Sequence, residues 1–399
     1  MSEITVNNTQ ELSAALKAAQ DGDVISLTAG SYSGLDVSRL NFSTGVTITS
    51  ADPSHLAVLT NFDISASSGL HFANLEFHAT GAGGNYWGFN VNNSSNISFD
   101  HLSVHGSLDG NPQDDPEGIG ILGSSNISIT NSEFQQLFRG IAFGNTSGVT
   151  ISGNSFHDLR TTGVMGAQAS DVKILDNTFK NFKLVTGDHP DAIQFLTSAT
   201  TAASHDITIS GNVIDRGAGD GIQGIFLRDE LGSLPYDHVT ISDNLLIGTG
   251  YNGIAVLGGK DLMITGNTLV SYSGSSTVNW LLVQKADGVV AAGNSAVKIS
   301  FDQVTNLVEA NDTLNAAVAD AGKAALAIWT FAHTGITPVI DDLGGLFGGV
   351  IPSVWDFYSP AAGMAQASSL APGSLQADVI GYTGVHLSDP QAMMGGILE

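Results

Sequence analysis

The stretch NISITNSEF, residues 126–134, decides the fold, because the chain keeps repeating its pattern. It returns as GVTISGNSF (148–156), DVKILDNTF (171–179), DITISGNVI (206–214), HVTISDNLL (238–246), DLMITGNTL (261–269) and GVVAAGNSA (288–296). The asparagines Asn131, Asn154, Asn177, Asn212, Asn244, Asn267 and Asn294 are 23, 23, 35, 32, 23 and 27 residues apart. Steps that cluster just above 20 residues mark a solenoid, and alternating Val/Ile/Thr/Ser makes its units strands. Looser copies surround Asn74 and His101 upstream. The expected architecture is all-β: a right-handed parallel β-helix, which offers one long rigid face to an extended ligand.

A second strand accompanies each repeat, opening at Trp87, Glu117, Arg139, Thr162, Asp191, Asp220 and Asn252, usually with Gly next and an apolar residue after it. In-register stacking predicts that these seven residues form one column on an outer edge, with successive rungs about 4.8 Å apart. The repeated asparagines are expected to bond neighbouring backbone groups at turns, which Asn tolerates in left-handed conformation. Three parts follow: residues 1–20 as an N-terminal capping helix, 21–300 as the β-helix, and 301–399 as a partly helical C-terminal capping region and tail with a candidate secretion signal. In the first part, Asn8 and Glu11 form a capping box, and Leu12, Ala15, Leu16 and Ala19 an apolar stripe suited to plugging the open end. Trp329, Trp355, Phe357 and Tyr358 are candidates to cap the other end or to pack along its side.

Composition narrows the partners. The 399 residues carry a net charge of −25, from 38 acidic and 13 basic side chains. So acidic a chain is a poor match for nucleic acid or anionic membranes. With no cysteine, disulfides and thiolate metal sites are excluded. No apolar run reaches spanning length. The N-terminus lacks the pattern of a classical signal peptide. The expectation is an extracellular protein, secreted without a classical N-terminal signal peptide through a C-terminal signal, and acting as a monomer.

Against this background the segment Asp188-His189-Pro190-Asp191-Ala-Ile-Gln194 stands out, followed one rung later by Asp220-Gly-Ile-Gln223. If the strands are in register, Asp191 and Asp220 lie about 5 Å apart, as do Gln194 and Gln223. Carboxylates that close raise one another's pKa, which is how a general acid is made. Seven of the 13 basic residues (Arg139, Arg160, Lys173, Lys180, Lys183, Arg216 and Arg228) fall within the same 90 residues, as a site for an anionic ligand would require. Tyr236, His238 and Tyr251 are candidates for the walls of that groove. The acidic loop with Asp109, Asp114, Asp115 and Glu117 is a candidate Ca²⁺ site.

At Asp188-His189-Pro190-Asp191 the chain resembles the right-handed β-helix polysaccharide lyases and mannuronan C-5 epimerases, whose DPHD-type motif is followed by an Asp on a later rung. Here His and Pro are exchanged and the later residue is Asp220. The same phrase resembles secreted bacterial exopolysaccharide glycanases. The resemblance covers roughly residues 20–300 and implies an extended, acidic polysaccharide as substrate. Three chemistries remain open. A lyase would use Arg139 or Arg216 to neutralise a uronate, His189 as base, and a tyrosine or His238 as acid. A hydrolase would use Asp191 with Asp220, and an epimerase would share the lyase residues. The basic cluster favours the lyase. A non-catalytic adhesin or polysaccharide binder is the alternative outside enzymology.

Overall fold

The structure, a computed structural model, describes residues 2–81 and 87–334. Its strands wind into three parallel sheets that share one bore. The repeated phrase forms the second sheet, where Ile127, Val149, Val172, Ile207, Val239, Leu262, Val289 and Leu307 are successive register partners. Three-residue strands form much of the third, in which Phe134, Phe156, Phe179, Ile214, Leu246 and Leu269 stack. The phenylalanine rings 134, 156 and 179 lie 4.7 Å apart, the spacing of the rungs themselves. The strands Trp87–Asn92, Glu117–Leu122, Asp191–Leu196 and Gln223–Arg228 belong to the first sheet. Some strands turn the corner unbroken: Val164–Leu175 serves the first sheet and then the second.

The asparagines act as the sequence suggested, with one refinement. Asn154, Asn177, Asn212, Asn244, Asn267 and Asn294 form a buried ladder. Each side-chain oxygen accepts from the backbone N–H of its counterpart one rung earlier, as Asn212 does from Asn177 at 3.0 Å. Each side-chain N–H₂ donates onward and to a carbonyl of the preceding rung, Asn212 to Ile174 at 2.9 Å. The left-handed residue of this turn is the one before the ladder, such as Gly153, Asp176 or Gly211. Asn131, with φ 50°, occupies that turn position, and Ser132 stands in the ladder.

The N-terminal helix is Thr9–Ala18, capped by Asn8, whose side chain accepts from Glu11 N–H at 2.9 Å while Glu11 accepts back from Asn7 N–H at 2.8 Å. A strand, Glu3–Val6, precedes it and pairs with Val24–Leu27. The strand repeat continues past residue 300, to Thr313–Leu314. The helix Lys323–Thr334 then packs along the side: Ala325, Leu326 and Trp329 cover Val213, Leu245, Ile247 and Val270 of the third sheet. Trp355, Phe357 and Tyr358 lie outside the described residues. Among those described, no helix is long and apolar enough to cross a membrane.

Candidate functional site

The outer column of the first sheet reads Trp87, Glu117, Arg139, Thr162, Asp191, Gln223, Asn252 and Trp280. A column of small residues follows it, because rungs approach closely there: a Cβ on Gly163 would stand 2.6 Å from the carbonyl oxygen of Ala192.

Asp220 is therefore not the partner of Asp191. The segment Asp220-Gly-Ile-Gln223-Gly-Ile contains the strand-opening phrase twice, three residues apart, and the second copy opens the strand. That choice sets Ile225 and Leu227 against Ile193 and Phe195 in the core, and Gln223 against Asp191. Asp220 instead lies exposed in the preceding turn, accepting from Leu184 N–H at 2.9 Å and so pinning the loop 181–190 that leads into the Asp191 strand. Gln194 and Gln223 are not equivalent either, since Gln194 opposes Phe226.

What the fold does bring together is His189, Asp191, Gln194 and Gln223. Asp191 is wholly buried (0% exposed), and its Oδ2 lies 3.1 Å from His189 Nδ1 and accepts from Gln194 Nε2 at 2.8 Å. Its Oδ1 is buried with no hydrogen-bond partner among the described residues. The His189 side chain is 47% exposed, and its Nε2 lies 2.8 Å from Gln223 Nε2. The hydrogen bond to Asp191 raises the imidazole's pKa, against the opposing effects of burial and the nearby Arg228. Burial raises the Asp191 pKa, against the pull of His189. The arrangement is a half-open imidazole backed by a buried carboxyl, the geometry of a general base held in one orientation.

Asp188 serves the loop that carries this pair. Arg160 grips it in two-pronged fashion (Nε–Oδ2 2.9 Å, Nη2–Oδ1 3.0 Å), and it also accepts from Val185 N–H at 2.8 Å. Pro190 then passes its carbonyl to Gln223 N–H at 3.0 Å, locking the loop into the next rung.

Several expected ligand-binding groups are engaged elsewhere. Arg139, 3% exposed, is ion-paired with the wholly buried Glu117 through Nε (3.0 Å to each carboxylate oxygen) and Nη2, and it lies over the Trp87 ring at 5.5 Å. Its charge is spent inside the protein. Tyr236 is buried too: its ring packs edge-on against Phe195, and its hydroxyl donates to the carbonyl of Arg228 at 3.0 Å. His238 sits where the second sheet begins, beside Asp237 and Asp261. Arg216 donates to the Gly219 carbonyl at 3.2 Å within its own turn, and Lys183 stands 3.9 Å from Asp158. Arg228 is exposed at the end of its strand, and Tyr251 is exposed beside Trp280, their rings 5.6 Å apart.

The four suggested Ca²⁺ ligands do not converge. Glu117 is taken by Arg139, Asp109 bonds Ser107 and Asn111 in its own loop, Asp114 is exposed, and Asp115 is buried. Among the described residues, the His and carboxylate atoms close enough to share an ion are those of Asp237, His238 and Asp261.

Trp280 escaped the sequence reading. Register slips by one residue between Asn252 and Ile254, so Trp280 runs directly into Leu281 and the Xaa-Gly-Ile signal is lost. Phe226, 6.2 Å from the His189 ring, was hidden by the misjudged register.

Residues 87–269 match the model of the right handed beta helix region. The fold is a right-handed β-helix. Solved structures similar to this β-helix include the following three. The PfbA surface adhesin of Streptococcus pneumoniae is 14% identical, with 77% of this chain and 86% of that one covered and a TM-score of 0.54. The Azotobacter vinelandii mannuronan C-5 epimerase A-module is 13% identical (78% and 94% covered, TM-score 0.44). An alginate lyase from Paenibacillus sp. is 14% identical (78% and 99% covered, TM-score 0.37). No curated protein matches the sequence.

Proposed function

We propose that this β-helix protein is a polysaccharide lyase that binds an extended, uronate-containing chain along the outer face of its first sheet. The observation that carries the reading is the half-exposed His189 held by the buried Asp191. In this mechanism His189 takes the C5 proton of a uronate. The C5–H electrons form the C4–C5 double bond, the C4–O bond breaks, and the leaving oxygen takes a proton. Arg228, exposed and close enough to His189 to act on its charge, faces the uronate carboxylate, and Tyr251, exposed beside the column residue Asn252, supplies the proton to the leaving oxygen.

The hydrolase alternative loses its main support, because Asp191 is buried and opposes Gln223, leaving no stacked carboxylate pair. An epimerase would use the same base and return a proton to the other face of C5. A non-catalytic carbohydrate binder is the second reading, favoured by the enclosure of so many of the segment's charged groups in structural pairs.

The test is incubation with a panel of acidic polysaccharides, following the absorbance of an unsaturated uronate together with reducing ends. A parallel rise in both supports β-elimination. Reducing ends without the absorbance would make the protein a hydrolase. If neither appears, exchange of the C5 hydrogen for solvent deuterium identifies an epimerase, and binding without exchange identifies a binder.

A further inference from the structure

We infer that Trp280, three rungs from Asp191, is a positioning residue that fixes the tautomer of His189 through a one-way chain of hydrogen bonds. The links run along the outer column of the first sheet. Trp280 Nε1 lies 3.0 Å from Asn252 Oδ1, Asn252 Nδ2 bonds Gln223 Oε1, Gln223 Nε2 lies 2.8 Å from His189 Nε2, and His189 Nδ1 lies 3.1 Å from Asp191 Oδ2.

The direction follows from the first link. An indole N–H donates and cannot accept. Asn252 must therefore turn its oxygen toward Trp280 and its N–H₂ toward Gln223. Gln223 must then accept with Oε1 and donate with Nε2. His189 Nε2 receives that N–H, so it carries the lone pair and the ring proton resides on Nδ1, facing Asp191. Amide and imidazole orientations that are ambiguous singly become determined once one end of the chain is donor-only. The span is three rungs, about 14 Å.

The arrangement prepares a base. It keeps Nε2 on the half-exposed ring deprotonated, its lone pair accepting from Gln223 until an incoming substrate displaces that amide, while Asp191 holds the other nitrogen. It also opposes the imidazolium, whose Nε2–H would meet the Gln223 N–H₂ head-on. Lys298, with its ammonium 4.8 Å from the centre of the Trp280 ring, holds the far end of the chain against the sheet.

Two substitutions act on the chain without touching His189. Trp280→Phe removes the obligatory donor, leaving Asn252 and Gln223 free to rotate. Asn252→Asp cannot donate to Gln223 once ionised, so Gln223 turns its N–H₂ to the new carboxylate and its oxygen to His189. Both changes let Nε2–H be accepted, so both are expected to raise the His189 pKa, by about one unit. The added charge of Asn252→Asp acts in the same direction, whereas Trp280→Phe isolates the hydrogen-bond effect.

The tautomer can be read without substrate, by long-range ¹H–¹⁵N NMR of the full-length protein, with His189 assigned from the His189→Gln spectrum. The expected wild-type signal is an unprotonated Nε2 above the imidazole pKa, with a raised pKa and mixed tautomers in Trp280→Phe. An Nε2–H wild-type tautomer would overturn the inference. So would an unchanged His189 titration in both variants once circular dichroism shows them folded. The catalytic consequence rests on the proposed lyase reading: the acidic limb of kcat/KM should move up by the same unit. Loss of that limb shift with the NMR result intact would count against the lyase and leave the hydrogen-bond chain standing.

Discussion

Replacing Arg139 by Met separates two roles for the same residue. As a groove cation, Arg139 would bind acidic ligand and contribute little to folding. As the partner of Glu117 it neutralises a carboxylate that is fully enclosed, and its removal strands that charge. Breaking a buried ion pair from one side costs about 3–5 kcal/mol. Loss of the contact with Trp87 at 5.5 Å adds about 0.5–2 kcal/mol. Burial already raises the Glu117 pKa in the intact protein, with Arg139 pulling it down, so the variant should hold a more strongly raised carboxyl. A group that binds its proton more tightly when folded loses stability as pH rises through its folded pKa. The Arg139→Met defect should accordingly be larger at pH 7.5 than at pH 5. Glu117→Leu with Arg139→Met removes both charges and should recover most of the loss. Urea unfolding of the three variants at both pH values provides the assay. Unchanged stability in Arg139→Met, joined to weakened binding of acidic polysaccharide, would refute the reasoning and restore Arg139 to the groove.

Other consequences follow from the same geometry. Asp191→Asn removes the hydrogen-bonded carboxylate that raises the His189 pKa, so turnover should fall about 10²- to 10⁴-fold and the residual acidic limb should shift to lower pH in a kcat/KM profile. Asn212→Ala strands the Asn177 N–H and the Ile174 carbonyl inside the ladder, and urea unfolding should show a loss of about 2–5 kcal/mol. Asp115 is buried with its pKa raised to about 7, mainly by burial and then by Asp114 and Asp109. Its folded pKa exceeds its unfolded one, so stability drains away as pH rises from about 4 to 7. Asp115→Asn should therefore gain about 1–4 kcal/mol over wild type at pH 8 and much less at pH 5, measured by unfolding at both.

The solenoid was legible because its signal is redundant: a strand phrase, a turn residue and a ladder asparagine recur together from Val149 to Asn294. The segment Asp188–Asp191 was legible too, because two carboxylates and an imidazole fall within four residues at a strand entrance. Register within the first sheet was not. The doubled phrase at 220–225 offers two equivalent openings to a pattern match, and only packing of Ile225 and Leu227 under Ile193 and Phe195 selects between them. Burial of outward-facing charges was also hidden. An alternation pattern puts Arg139 outside the bore, but it cannot reveal that Trp87 and Glu117, on the two preceding rungs, enclose it. Trp280 was lost to a single-residue slip of the repeat. In each case the missing information is a contact between rungs, which a linear pattern does not contain.

The central claim is that His189 is the working base on this face, and comparison of wild type with His189→Gln tests it most directly. Both proteins would be assayed on the acidic polysaccharide that wild type turns over, for rate by unsaturated-uronate absorbance and for affinity by calorimetry. The account predicts a loss of about 10²- to 10⁴-fold in kcat with affinity nearly unchanged. Full turnover in His189→Gln, or a loss of affinity with the rate intact, would contradict it.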